Sequence, residues 1–305
     1  MALKDIKTKI AATKRMHTVT RAMEAVSAVK MRKTQAQAFE GRPYARAALA
    51  ILTRLAGSRG LRTDPLTMRR DLKRTALVII TSDKGLAGAL NSGVTKVAEL
   101  ALRGRDPKSV TVFAIGKKGE EHFRRRGYEI ALASENKRDD VSLDSLTELA
   151  ERLSSGFREE EFDEVLAAYS NFRSTFEQTP TVRQLLPLTL EGIQELVADI
   201  RPAKGKWSDE LILEAPPSYT TETDPGVKRG ILEVLVPRLV TASLYYMLLE
   251  AKASEHSARM VAMKSASDKS KEVARDLTRV YNKVRQAAIT REVSEIVGGR
   301  EALAT

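Results

Sequence analysis

The sequence predicts an α + α/β fold: a long antiparallel coiled coil of the N- and C-terminal helices with an inserted doubly wound, Rossmann-like α/β domain. Three observations support this prediction. Apolar side chains recur at alternating three- and four-residue spacing near the C-terminus, they do so again near the N-terminus, and the segment between alternates short apolar runs with helical patterns. The predicted parts are an N-terminal helix at 1–56, a linker at 57–73, the α/β domain at 74–224 and a C-terminal helix at 225–305.

The stretch from 238 to 298 is the strongest signal because no proline interrupts it and its only glycine is its last residue. Asp224 and Pro225 predict the start of its helix, and Pro237 predicts a kink. At 1.5 Å per residue the stretch would be roughly 90 Å long, so we expect it to project from the domain and to need a helical partner. Its heptad seam consists of Leu239, Ala242, Tyr246, Leu249, Ala253, His256, Met260, Met263, Ser267, Ser270, Ala274, Leu277, Tyr281, Val284 and Ala288.

The apolar pattern of the N-terminal segment predicts a second long helix, which would be the partner of the C-terminal one. Gly41 and Pro43 predict a kink near residue 42. We expect the two terminal helices to pair antiparallel, because a domain separates them in sequence. A shift of phase is expected within the N-terminal seam, since its apolar residues fall first at Leu3, Ile6 and Ile10 and then at Met16, Val19, Met23 and Val26.

The central segment predicts a mostly parallel sheet with helices between its strands. Residues 57–73 are polar and rich in turn formers, which predicts a flexible linker before the first strand. Helical patterns near 94–101, 117–126 and 143–153 separate the strands. Strands are predicted at 76–81, 110–115, 128–133, 164–170 and 181–186, the last of them at an edge.

Composition narrows the function. The chain has no cysteine, which excludes disulfides, thiol switching and cysteine-metal sites. No apolar run reaches the roughly eighteen residues of a membrane span, and the basic, amphipathic start lacks the apolar block of a secretory signal, so we expect a mature cytosolic start. Residues 1–56 hold twelve Lys and Arg against three Asp and Glu, and residues 225–305 hold fourteen against nine. The basic terminal helices therefore indicate an acidic partner: nucleic acid, an acidic protein surface or anionic lipid.

The residues that usually carry chemistry form no active site in the sequence. The loop Thr81–Asn91 follows the first strand, where phosphates bind in nucleotide-binding folds, but it lacks both glycine-rich phosphate motifs. His17, His122 and His256 lie in separate helical segments without a second metal ligand one turn away, and the acidic pairs and triplets, such as Asp139–Asp140, lie in loop-like surroundings. We therefore expect no cofactor, no metal and no catalytic residue.

The far C-terminus has a wider apolar face than a two-stranded coil needs. This tip is made of Ala287, Ala288, Ile289, Val293, Ile296 and Val297. Two interpretations stay open at this point: a packed end or three-helix contact within the chain, or a tip that sits inside another protein.

Several motifs in order along the chain are distinctive: Met1–Ile10, Thr20–Val26 with Lys30–Lys33, the loop Thr81–Asn91, Ser254–Lys264, and Tyr281–Thr290 with Glu295–Gly299. Through these motifs the chain resembles, over essentially its whole length, the gamma subunit of F-type ATP synthase. The match is looser at 200–224 and at the unusually charged Asp268–Glu272.

The resemblance implies a central-stalk rotor without an active site of its own. Its coiled coil would turn inside the ring of alpha and beta subunits, and its α/β domain would meet epsilon and the c ring of Fo. It would thereby couple proton movement, or sodium movement in some members, to conformational cycling of the catalytic beta subunits, at the cytoplasmic side of a bacterial plasma membrane. The implied contacts with beta are Met23, Lys30, Lys84, Gly85, Leu86, Arg259, Arg285, Gln286 and Thr290.

Two alternatives from other classes remain open at this point. A basic coiled-coil arm that grips nucleic acid would explain the charge but not the apolar tip, and its affinity would fall steeply with salt. A nucleotide-dependent enzyme would use the loop Thr81–Asn91, and nucleotide would then raise its melting temperature.

Overall fold

The structure, a computed structural model, describes residues 3–40, 64–136, 143–189 and 225–304. The chain divides into two compact units, one made of Met1–Ser27 with Met260–Thr305 and the other of Ala28–Arg259. The predicted kink near residue 42 and the loosely matching segment 200–224 lie outside the described residues.

Two helices form the first unit, as the heptad seam predicts. Helix α1 spans Leu3–Glu40, and the last helix, α5, spans Pro225–Ala304, beginning at the predicted proline and continuing through Pro237. They form the predicted antiparallel pair, and one contact marks their register: Nδ1 of His17 lies 3.1 Å from the backbone oxygen of Ser267 and 3.0 Å from its hydroxyl. Within this unit the seam prediction for α5 is confirmed, because its buried positions are Met263, Ser267, Ser270 and Ala274.

The expected phase shift in α1 is wrong. Within the part of α1 that belongs to the first unit, the least exposed positions keep one helical phase. They include Leu3, Ile6, Ile10, Thr13, His17, Thr20 and Ser27. Met16, Val19 and Val26 are instead more than half exposed. A seam can hold threonines because their hydroxyls bond to the carbonyl one turn back, as Thr13 does to Lys9 at 2.8 Å and Thr20 does to Met16 at 2.9 Å. The prediction followed apolar residues and therefore chose the wrong face.

The second unit contains a five-stranded sheet of order β3-β2-β1-β4-β5. The first four strands are parallel, and β5 pairs antiparallel with β4 at the edge, which confirms the predicted doubly wound arrangement. The strands are β1 (Thr75–Ile80), β2 (Val110–Ile115), β3 (Glu129–Ser134), β4 (Glu164–Ser174) and β5 (Glu177–Leu186). The last two are longer than predicted.

Helices cover both faces of the sheet. On one face, α2 (Leu90–Ala101) and α3 (Lys117–Arg125) bury Val94, Ala98 and Phe123 against residues of the three central strands. On the other face, α4 (Leu143–Arg158) and the first part of α5 share a core with β1, β2 and β4. The residues that α5 contributes to this core include Leu239, Val240, Leu244, Met247 and Leu248.

The described part of the predicted linker, from residue 64 onward, packs on the α/β domain. Leu66 is fully buried in the core, and its carbonyl accepts a bond from the backbone N–H of Leu188 at 2.7 Å. Arg70 lies 4.8 Å over the Phe157 ring and donates to the Phe157 carbonyl at 2.6 Å. Burying one leucine contributes roughly 1.5–3 kcal/mol. This gain is comparable to the cost of ordering the backbone of one or two residues, about 1–2 kcal/mol each. The turn-forming composition does not reveal it.

We expect Gly116→Ala to lower the free energy of unfolding by at least about 2 kcal/mol. Gly116 follows β2 with φ near +101°, and a Cβ there would lie 2.0 Å from the carbonyl oxygen of Thr81. The measurement is urea denaturation of the full chain.

Gly104→Ala is the matched control, because Gly104 has φ near +84° but a Cβ at this position would meet no atom within 4 Å. It should cost only about 1 kcal/mol, the conformational penalty alone. If both variants lost the same free energy of unfolding, the predicted clash between a Cβ at position 116 and the Thr81 carbonyl would be contradicted.

Candidate partner interfaces

The loop after β1 presents a small exposed apex. Lys84, Gly85 and Leu86 are all exposed there, and Leu86 is 61% exposed with a left-handed φ of 64°. Below the apex, Asn91 accepts from the backbone N–H of Ser82 at 3.0 Å and donates to its hydroxyl at 2.7 Å, while that hydroxyl donates to the Lys84 carbonyl at 2.6 Å. The three predicted contact residues are therefore brought together on a loop whose shape its own hydrogen bonds hold.

The carboxyl edge of the sheet, where nucleotides bind in doubly wound folds, is lined by this protein's own helix. The hydroxyl of Ser254 on α5 donates to the Ser170 carbonyl of β4 at 3.0 Å. The ammonium of Lys252 lies 3.5 Å from the carbonyl oxygen of Asn136, just after β3. Because α5 lies along the edge where β1 and β4 diverge to opposite crossovers, the structure gives the nucleotide interpretation no support.

A largely buried ion pair lies on the same stretch of α5. Arg259 donates to Glu255 at 2.6 Å, and their side chains are 11% and 13% exposed. Burial raises the pKa of Glu255 above its usual range, against the opposing effects of Arg259 and Lys252. Arg259, predicted as a partner contact, is thus already engaged within the second unit.

Asp83, in the loop after β1, adds a second negative charge near this pair. Its Oδ1 accepts from the backbone N–H of Lys117 at 3.0 Å, and its buried Oδ2 has no hydrogen-bond partner among the described residues. Its charge contributes to the raised pKa of Glu255. The loop and α5 are therefore electrostatically coupled.

An exposed apolar surface runs along α1 in the first unit. We name it the α1 stripe: Met16, Val19, Met23 and Val26. Three of these are more than half exposed, and Met23 is half-buried. Helical periodicity places the stripe beside the seam rather than within it. Lys30, the other predicted contact on α1, belongs to the second unit and is half-buried.

The C-terminal tip extends past the coiled coil. The contact between His17 and Ser267 fixes the antiparallel register, which places Leu3 at about the level of Tyr281. All residues of α5 from Ile289 to Val297 are exposed, so no other described residue covers the apolar tip. The predicted contacts Arg285, Gln286 and Thr290 lie together on this bare segment and are exposed. This geometry favours the second interpretation of the tip, insertion into another protein.

The sequence interpretation missed Phe176, which is 81% exposed at the turn between β4 and β5. A lone aromatic residue between Thr175 and Glu177 in a polar turn was the available signal. It also assigned Met16, Val19 and Val26 to the seam, although they lie outside it.

Metal and membrane sites receive no support from the described residues. Within residues 3–40, 64–136, 143–189 and 225–304, no three His, Cys, Asp or Glu side chains gather in a way that could hold a metal ion. His122 instead lies 2.8 Å from Glu99. None of the helices in the described part of the chain has the length and apolar character of a membrane span.

Comparison with known proteins supplies the context for this geometry. A family model described as "ATP synthase" matches residues 2–303. The ATP synthase gamma chain of Staphylococcus epidermidis is 37% identical over 304 residues, covering 99% of each chain. That of Staphylococcus aureus strain Newman is 36% identical with the same coverage.

Solved structures share the fold. A chain of the Euglena gracilis mitochondrial ATP synthase, in a cryo-EM structure of its OSCP, F1 and c-ring, superposes with a TM-score of 0.64 at 19% identity, covering 99% of this chain and 94% of that one. A chain from the central stalk and c-ring of the Tetrahymena thermophila mitochondrial enzyme gives 0.56 at 24% identity, covering 82% and 99%.

We expect Glu255→Gln to change how stability depends on pH. Because the folded chain holds the Glu255 proton more tightly than the unfolded chain, native stability relative to the variant should fall as pH rises from about 4.5 through the raised pKa. Urea unfolding at a series of pH values measures this difference.

Glu272→Gln is the control, since the bond from exposed Lys269 lowers the pKa of Glu272. Its difference should have the opposite sign and be small, because solvent screens that pair. A pH-independent difference for Glu255→Gln would refute the buried-carboxyl explanation.

Proposed function

Since the chain belongs to the ATP synthase gamma chain family, we propose that it is the central-stalk rotor of a proton-translocating F-type ATP synthase. In this proposal it couples rotation of the membrane c ring to conformational cycling of the catalytic beta subunits. The observation that carries the proposal is the bare apolar end of α5, exposed from Ile289 to Val297 beyond the paired part of the coiled coil. An apolar helix end of this length marks an interface, and a ring of alpha and beta subunits would enclose it.

The chemistry of the coiled coil suits a shaft that must transmit torque. The seam joins α1 to α5 through small and polar residues such as Thr20, Ser267 and Ser270, which let two helices approach closely. The α1 stripe is apolar but lies outside that seam, so it is free to meet the ring. Because the shaft is asymmetric, it would favour a different conformation in each beta subunit, which is coupling by differential contact rather than catalysis.

Charge supports the same partner. The basic terminal segments carry formal charges of +9 at 1–56 and +5 at 225–305. Electrostatic attraction between such segments and acidic segments of the beta subunits would be long-ranged and weakly directional. A contact that must persist while the shaft rotates needs both properties. We assign the beta contacts to two positions on α1 (Met23 and Lys30), the loop apex (Lys84, Gly85 and Leu86), and Arg259, Arg285, Gln286 and Thr290 on α5. Arg259 would have to exchange its pairing with Glu255 to contribute.

The remaining parts of the proposal follow from membership of the family. The α/β domain would contact epsilon and the c ring, and the chain would be held peripherally at the cytoplasmic side of a bacterial plasma membrane. The working division is the coiled-coil helices at 1–56 and 225–305, a linker at 57–73 and the α/β domain at 74–224. The chain would be a non-catalytic subunit with no activity or cofactor of its own. The nucleic-acid alternative has no support, since it explains neither the family match nor the apolar tip.

Assembly tests the function. Expressed with alpha and beta, the chain should co-purify in one complex that contains a single copy of it, which native mass spectrometry measures. Deletion of residues 293–305 should weaken coupling between ATP hydrolysis and ion pumping while leaving the α/β domain folded, because the described core residues that α5 contributes to that domain lie between Leu239 and Ala251. A complex that lacks this chain and still couples fully would refute the proposal.

We expect Arg285→Ala to lower the steady-state ATPase rate of the assembled complex roughly 2- to 5-fold, the effect of losing about 0.5–1 kcal/mol at an exposed charge contact. Arg103→Ala is the control, because Arg103 is an exposed arginine of the α/β domain with no proposed contact to beta. Equal rates for Arg285→Ala and the native complex would remove Arg285 from the interface.

A further inference from the structure

The last two strands of the sheet form a ribbon that extends beyond the others. β1 pairs with β4 only as far as Ala168, whereas β4 and β5 remain paired to Ser174 and Glu177. The ribbon therefore continues for six residues past the parallel sheet, about 20 Å. A register shift between Phe172 and Ser174 adds one extra residue near the end, which increases the local twist.

Hydrogen bonds hold the ribbon tip against α5. The hydroxyl of Ser257, which is fully buried, donates to the Thr175 carbonyl at 2.6 Å. The amide of Gln178 donates to the carbonyls of Ser174 at 3.1 Å and Thr175 at 2.9 Å, and lies 3.4 Å from the Ser257 hydroxyl. Lower down, Ser254 donates to the Ser170 carbonyl at 3.0 Å. Two serines one turn apart thus fasten the ribbon to the helix.

Phe176 is the side chain that this fastened turn presents. It is 81% exposed, more than any other large apolar side chain among the described residues. Its backbone N–H donates to the Ser174 hydroxyl at 3.3 Å, which further fixes the turn. An aromatic side chain on a rigid, pre-ordered turn loses little conformational entropy when it binds, and aromatic anchors dominate the energetics of protein interfaces. Phe176 therefore has the exposure and support of an aromatic anchor that would bind in a pocket on a partner protein.

The direction of α5 indicates which partner provides the pocket. β4 and α5 advance together, since Ser254 meets Ser170 and Ser257 meets Thr175. The tip therefore lies beside the last turn of α5 in its unit, just before Met260, where the coiled-coil unit begins. In the proposed function, which this inference rests on, the coiled coil enters the ring of alpha and beta subunits. Ser257 lies only three residues before that coiled-coil segment in sequence, so a partner that encloses the segment would be within reach of the ribbon tip.

We propose that Phe176 docks in an apolar depression on the entrance rim of the alpha and beta ring. The ribbon is then a second contact with the ring, beside the loop apex at Lys84–Leu86 and independent of it in sequence. Both lie at the carboxyl end of the sheet, because each follows the carboxyl end of a parallel strand, β1 for the loop and β4 for the ribbon. A rotor with an apolar anchor at this place would pause where the rim offers a pocket.

Site-specific photocrosslinking in the assembled enzyme tests the proposal. Phe176→p-benzoylphenylalanine keeps an aromatic ring at the position and reacts only with close neighbours. The expected result is an adduct with alpha or beta, identified by mass spectrometry, at least tenfold more abundant than the adduct from the same replacement at Leu100. Leu100 is the matched control because it is also exposed but lies on α2.

A third position separates this proposal from the function on which it rests. The same replacement at Ile289, on the bare tip, should crosslink to alpha or beta if the shaft lies in the ring. If Ile289 gives that adduct while position 176 gives none, or reacts with epsilon or a c subunit instead, the Phe176 proposal is overturned and the rotor function stands. If neither position reaches the ring, both are overturned.

Discussion

One helix, α5, contributes buried residues to both compact units, so the coiled coil and the core on one face of the sheet both depend on how its side chains are buried. Near its beginning its inward face carries Leu239, Leu244 and Met247 and packs on the sheet. Further along it carries Met263, Ser267 and Ala274 and packs within the coiled-coil unit. Beyond Ala288 it has no cover in the described chain. The same periodicity thus serves a domain core, a coiled coil and a docking tip, and only the size and polarity of the side chains change.

The polar seam explains how the two helices of the coiled coil keep one register while they approach closely. The hydroxyls of Thr13, Thr20 and Ser270 bond to carbonyls of their own helices, so their burial leaves no donor unpaired. His17 and Ser267 bond across the seam and set its register. Large apolar residues are consequently available for the α1 stripe and the tip, where a partner can use them. The separate roles of seam and stripe follow from placing small residues where the two helices meet.

Charged side chains couple the loop after β1 electrostatically to α5. Glu255 and Arg259 pair on α5. The Asp83 oxygen that has no hydrogen-bond partner within the described part of the chain lies in the loop whose apex presents Leu86. An ion pair of this kind is costly to bury and strongly disfavours the loss of one partner. A change of pairing at Arg259 would therefore be felt at the loop. The ribbon that carries Phe176 is fastened to the same part of α5, so three proposed contacts share one support.

Periodicity and breakers such as Pro225 were enough to predict the fold class and the order of the elements, whereas they left open whether the apolar tip is packed or bare. The sequence also placed Lys84, Gly85 and Leu86 on one loop, since residues adjacent in a turn stay adjacent. Three features emerged only in the folded chain: which face of α1 is buried, that Leu66 belongs to the core, and that Phe176 is exposed. In each case the outcome depends on what packs against the residue. The polar face of a helix can be the buried one when the small side chains of the partner helix pack better against it than against the apolar face. The sequence pattern of one helix does not show which side chains its partner presents.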